Sequence, residues 1–256
     1  MPTSKIEWLR DPTTGKPGYT INPVKGLCPM ACSYCYARRL YKRFKWNPEV
    51  RWCPQAFHLL DKIKKPSRIF VGSTFELFHE SLPENWMDYN LGTAKKYPQH
   101  TFIFLTKKPA GLLKWSPFPR NTYVGVSVTD QEQYAKAIHY LKDIQATIKF
   151  ISFEPLLDLE YGLPSLTFWI KEAGINWLII GQQTPVSAKT APKIEWIKEI
   201  VEAGTKAGIR VFMKDNLGPL IESYGMLKCS WAAKEWVQCK YPILRQEYPK
   251  ERTIEE

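Results

Sequence analysis

Six short runs rich in β-branched and aromatic residues recur along the chain, and they restrict its possible folds more than anything else in it. They are Arg68 to Thr74 (RIFVGST), Thr101 to Lys107 (TFIFLTK), Thr122 to Thr129 (TYVGVSVT), Ile148 to Pro155 (IKFISFEP), Ile175 to Gln183 (INWLIIGQQ) and Ile209 to Asp215 (IRVFMKD). Runs this apolar fit strands buried on both faces of a parallel sheet. Successive runs lie about 20 to 35 residues apart, enough for a crossover helix between parallel neighbours. The segments between them carry helix signals. Pro83 to Lys96 is acidic early and basic late, Asp130 is positioned to cap QEQYAKAIHYLKDI, and Pro192 opens KIEWIKEIVEAGTKAG, which ends at a glycine. A further strand is expected over Gly18 to Gly26, with its helix over Ser33 to Phe44. The expected fold is α/β, a full or partial (β/α) barrel of about six to seven parallel strands. The barrel should occupy residues 1–216, with 217–256, rich in Trp, Tyr and Lys, as a C-terminal appendage or cap.

One loop carries concentrated chemistry. After the first expected strand, residues 26–37 read GLCPMACSYCYA, with Cys28, Cys32 and Cys35 spaced CxxxCxxC and Tyr34 just before the third cysteine. Three thiolates in eight residues can hold three corners of an iron–sulfur cube and leave the fourth iron open. A structural zinc site usually takes four protein ligands, and here Cys53 or His58 could supply the fourth. The chain opens MPTSKIEWLRDP, without the apolar stretch of an export signal, and no run approaches the roughly 18 apolar residues of a membrane span. The expectation is therefore a cytoplasmic protein with no membrane, where clustered cysteines stay reduced.

In a (β/α) barrel the loops at the carboxyl ends of the strands converge, so the residues there form the candidate site. Beyond the cysteine loop these are Ser73, Thr74 and Glu76; Lys107; Ser127, Thr129 and Asp130; Glu154; Gln182 and Gln183; Lys214 and Asp215. Lys107 and Lys214 could bind an anion or move a proton, as could Glu154, and these three are the candidate catalytic residues. The 256 residues carry a formal net charge of +11 and 14% aromatic residues, a combination suited to a nucleic acid, nucleotide or other polyanion.

The cysteine spacing with its aromatic residue, placed after the first strand of such a barrel, resembles the radical S-adenosylmethionine (SAM) superfamily. SKIEW, CYARR, FVGSTFELFHE, PQHTFIFLTKKP, VGVSVTDQ, FISFEPLL, INWLIIGQQ and IRVFMKD together look like a phage- and prokaryote-associated family of poorly characterised radical-SAM-like proteins with a three-cysteine motif. CSYCYA also resembles the cysteine loop of spore photoproduct lyases, radical SAM enzymes that act on DNA.

The resemblance implies a 4Fe-4S cluster on Cys28, Cys32 and Cys35, SAM as cofactor, and an electron donor such as flavodoxin or ferredoxin. It implies that Tyr34 lies against the adenine. Gly72, Ser73 and Thr74, with Glu76, stand where relatives carry a GGE-like segment that meets the methionine amino group. Ser127 and Glu154 would meet the ribose or carboxylate, and Gly181 and Gln182 the adenine edge. GQQTP departs from the two glycines and glutamate that relatives often carry after this strand. Two other readings remain open on the residues alone: a zinc-stapled nucleic-acid-binding module, and a barrel enzyme working by acid/base chemistry from Glu154 and a lysine. Arg38 and Arg39 are expected on the helix after the cysteines. Tyr36, Cys229 or Cys239 could return a hydrogen atom to a substrate radical.

Overall fold

Each of the six apolar runs forms a strand. The structure, a computed structural model, describes residues 3–160, 162–223 and 244–249. Its strands are β1 (Tyr19–Ile21), β2 (Val24–Lys25), β3 (Arg51–Trp52), β4 (Arg68–Val71), β5 (Thr101–Thr106), β6 (Thr122–Val128), β7 (Ile148–Phe153), β8 (Trp177–Ile180) and β9 (Arg210–Met213). Seven of them make a parallel sheet in the order β1-β4-β5-β6-β7-β8-β9, with Ile21 opposite Val71, Phe104 opposite Val124 and Ile180 opposite Met213. β4, β6 and β8 are buried along their whole length, as expected of strands covered on both faces. The fold is α/β with strands and helices alternating, the order of a partial (β/α) barrel.

The expected strand over Gly18 to Gly26 is split. Pro23 has no N–H to give a ladder, so the chain leaves the sheet after Ile21 and re-pairs as β2 in an antiparallel ribbon with β3. The helices are α1 (Tyr36–Phe44), α2 (Glu84–Lys96), α3 (Gln131–Leu141), α4 (Leu163–Glu172), α5 (Ile194–Ala207) and α6 (Gly218–Ser223). α1 starts three residues later than expected because the Cys35 sulfur caps it, accepting from Arg38 N–H at 3.4 Å. Asp130 caps α3 as predicted, accepting from Gln133 N–H, and Gly208 ends α5 in the left-handed conformation. Between β5 and β6 the link is a short 3-10 turn at Pro109–Trp115 rather than an α-helix, and Pro117 and Pro119 prevent its continuation.

The chain divides into two compact units, one of residues up to 126 with 143–149, the other of 127–142 with the residues from 150 on. In the second, residues 244–249 return beside β9: Met213 N–H donates to Arg245 O and Glu247 N–H to Val211 O. Cys229, Cys239 and most of the expected appendage lie outside the described residues. Among the described residues no helix is long and apolar enough to cross a membrane.

Candidate metal centre and strand-end residues

The three cysteines of the motif come together in the first unit. The loop after β2 brings Cys28, Cys32 and Cys35 to the wall of one recess, whose remaining lining mixes apolar residues such as Leu27, Met30 and Ala37 with Arg38, Tyr41 and Thr74. Two devices shape the loop, one in the backbone and one a side chain. Gly26 has φ +112°, and a Cβ there would sit 2.4 Å from the Glu49 carbonyl oxygen, so only glycine fits the turn. Arg38 reaches back from α1 to the Cys28 carbonyl at 2.8 Å, tying both ends of the motif together.

Burial pushes the Cys28 thiol above its usual pKa, and the nearby Glu76 and Cys32 add to that, while backbone N–H groups of Met30 and Glu76 aimed at the sulfur pull the other way. Such donors at Cys28 favour its thiolate once a metal supplies positive charge. No three Cys, His, Asp or Glu side chains among the described residues gather as ligands of a single ion. Three thiolates on one loop fit the corners of a 4Fe-4S group, where each binds a separate iron. The fourth zinc ligands considered above are elsewhere: the Cys53 thiol faces Arg51 O at 4.0 Å, His58 is exposed, and neither lines the recess.

Behind the recess, the segment after β4 is held in place. Gly72 takes φ +81°, and a Cβ there would lie 2.6 Å from the Leu77 side chain. Asn22, just past β1, accepts from Ser73 Oγ at 3.1 Å and Thr74 N–H at 3.2 Å, and the Tyr36 hydroxyl donates to Ser73 O. Glu76 is 6% exposed. Its carboxylate accepts from Thr106 Oγ1 at 2.6 Å, Lys107 N–H at 2.7 Å and Phe78 N–H at 3.1 Å. A carboxylate so engaged is a brace between the ends of β4 and β5. The Lys107 ammonium lies 5.7 Å from the centroid of the Tyr34 ring, a cation–π distance that pairs two of the predicted residues.

In the second unit, Lys214 pairs with Glu154 through Nζ and Oε1, both partly buried. Gly181 leaves room for that pair, since a Cβ there would be 2.9 Å from Lys214 Cδ. Ser127 lies within β6 rather than past it and donates to Glu154 O at 3.2 Å. Gln182 is buried and bonded reciprocally to Asn216, whose Nδ2 donates to Gln182 O at 2.8 Å. Thr129 and Asp130 are spent on the α3 cap network with Gln133. Sequence reasoning missed Asn22 and Asn216. Each follows its strand closely in a polar turn, and no spacing marks such an asparagine as a brace.

The sequence matches the family described as "Protein of unknown function (DUF5131)" over residues 3–229. The chain belongs to this family. No curated protein matches it. Among solved structures, a cysteine-to-serine mutant of spore photoproduct lyase is similar with a TM-score of 0.56 at 11% identity, over 84% of this chain and 80% of that one. At that identity the likeness speaks for the fold, and it places this DUF5131 chain in the α/β, partial-barrel class that the strand order describes.

Proposed function

We propose that the chain is a radical SAM enzyme of the three-cysteine-motif kind, acting on a nucleic acid or nucleotide. The observation that carries this is the joint lining of one recess by Cys28, Cys32 and Cys35, on the loop after the first strands of a partial (β/α) barrel. The likeness to spore photoproduct lyase, itself a radical SAM enzyme, supports the same reading. A 4Fe-4S cluster held by these cysteines, with SAM on its open iron, would supply one-electron reductive cleavage of SAM to a 5′-deoxyadenosyl radical for hydrogen abstraction from substrate.

The chain's own residues then have separable tasks. Cys28, Cys32 and Cys35 hold the cluster, with the N–H groups of Met30 and Glu76 aimed at the Cys28 sulfur and that of Arg38 at the Cys35 sulfur. Tyr34 offers its ring to the adenine, and Lys107 beside it supplies a positive charge for a carboxylate or phosphate. Gly72, Ser73 and Thr74 present backbone and hydroxyl groups to the methionine end, in a geometry fixed by Asn22, with Glu76 bracing them from behind. For Ser127, Glu154, Gly181 and Gln182 the proposal keeps the SAM-facing roles implied by the resemblance. The acid/base alternative is less favoured because Lys214 and Glu154 neutralise each other. The electron donor is expected to be a flavodoxin or ferredoxin, and a reducing cytoplasm suits the thiols.

The direct test is anaerobic reconstitution with iron and sulfide followed by dithionite and SAM, with 5′-deoxyadenosine quantified by liquid chromatography. The wild-type protein should release it and Cys32→Ala should not. Equal, negligible release from both would reject the proposal.

A further inference from the structure

The surface that follows the cysteine loop has a composition the cofactor site does not use. Residues 39–51 contain five basic side chains (Arg39, Lys42, Arg43, Lys45 and Arg51) against one acidic residue, Glu49. Ten successive residues, 42–51, are exposed, and three of them are large and apolar. Phe44 is 52% and Trp46 50% exposed. Their rings stack at 5.5 Å between centroids with 22° between planes, Trp46 meets Tyr41 edge-on at 5.3 Å, and the Arg43 guanidinium lies over Phe44.

This arrangement is built rather than incidental. Lys45 turns the chain out of α1 in the left-handed conformation, Trp46 N–H donates back to Tyr41 O at 3.2 Å, and Asn47 Oδ1 holds the next turn by accepting from Glu49 N–H. Leu27 N–H donates to Pro48 O, and the Tyr41 hydroxyl accepts from Gly26 N–H at 2.7 Å. The aromatic step is thus pinned to the cysteine loop itself. At the helical rise it lies about 14 Å along α1 from Cys35.

We propose that α1 and the turn after it, centred on Phe44 and Trp46, form a binding platform for single-stranded nucleic acid. Stacking faces interleaved with cations are what a single strand needs, because every base has a π-face and every nucleotide a phosphate. An acidic protein partner would match the charge, but it gives no reason for an exposed, pre-stacked aromatic pair. The platform deepens the nucleic-acid part of the proposed function and rests on it, and it does not require the cluster chemistry.

The test is fluorescence anisotropy of 5′-fluorescein-labelled oligo(dT) of fifteen residues (~15, about one single-strand site), titrated with the full chain across a salt series. Binding should weaken steeply with salt. Phe44→Ala with Trp46→Ala should weaken it about tenfold or more. Lys42→Gln with Arg43→Gln should make the log–log salt slope shallower by about 0.7 for each phosphate no longer neutralised. Circular dichroism melts of both variants confirm folding, since every altered side chain is exposed. Absent binding at low salt, or binding that both variants leave unchanged, would overturn the platform. So would unchanged oligonucleotide binding alongside loss of binding to an acidic flavodoxin, which would assign the surface to a redox partner. The same preparations report SAM cleavage separately, so an oligonucleotide-binding protein that releases no 5′-deoxyadenosine would sink the radical chemistry and leave the platform standing.

Discussion

Replacing Glu76 with alanine should destabilise the protein more than replacing any single residue of the cysteine loop's exposed rim. The carboxylate is buried and accepts three hydrogen bonds, two from backbone N–H groups of Phe78 and Lys107 and one from the Thr106 hydroxyl. Hydrogen bonds to a charged group contribute about 1.5–3 kcal/mol each, and a buried donor left without a partner costs about 1–3 kcal/mol. Thr106 Oγ1 still accepts from Lys108 N–H after the change, but its own O–H loses its acceptor. Two orphaned N–H groups, one orphaned hydroxyl and the lost charge-assisted bonds, which do not add fully, give a loss of about 4 kcal/mol for Glu76→Ala. Glu76→Gln keeps one oxygen for Thr106 and Phe78 but turns an NH₂ toward the Lys107 N–H, and should cost about 2 kcal/mol. Urea denaturation followed by circular dichroism measures both, and a double-mutant cycle with Thr106→Val isolates the shared bond. A cost below about 1 kcal/mol for alanine, with SAM cleavage abolished, would refute the brace and return Glu76 to the cofactor contact that the resemblance implied.

Three further outcomes follow from the same structure. Gly72→Ala should cost about 2 kcal/mol or more in the same denaturation assay, because the residue sits at positive φ and its new Cβ would collide with Leu77. Burial holds the His100 imidazole below its ordinary value of 6.5. The folded state therefore binds fewer protons than the unfolded one. Its contribution to stability is full above about pH 6.5 and is lost as the pH falls through the lower folded value, so His100→Gln should flatten the decline of melting temperature on acidification. Cys53→Ala should keep full iron and sulfide loading, measured by colorimetric assay after reconstitution, whereas Cys28→Ala should lose most of it. Loss in the Cys53 variant would revive the zinc-type ligand set.

Much of the scaffold was legible because its strands are buried on both faces. Continuous apolar runs such as INWLIIG and TYVGVSV have no polar face to confuse the pattern, and each was found as a strand within two or three residues of its expected ends. The joint placement of Cys28, Cys32 and Cys35 was legible because three cysteines in eight residues are a local pattern. The ribbon of β2 and β3 was not, since two-residue strands carry no periodicity and form only because Pro23 ejects the chain from the sheet. Residue roles were less visible still. Glu76 and Lys214 were expected to be available at strand ends, but whether a side chain meets a ligand or a neighbour depends on loops brought together from distant sequence. Thr106 and Lys107 claimed Glu76, and Glu154 claimed Lys214.

The most direct test of the central claim is electron paramagnetic resonance of the anaerobically reconstituted, dithionite-reduced protein, recorded with and without SAM. The account predicts a reduced 4Fe-4S signal that changes shape when SAM is added and is absent from the Cys28→Ala, Cys32→Ala, Cys35→Ala triple variant. Zinc bound at one per chain with no such signal, or a signal that persists in the triple variant, would contradict it.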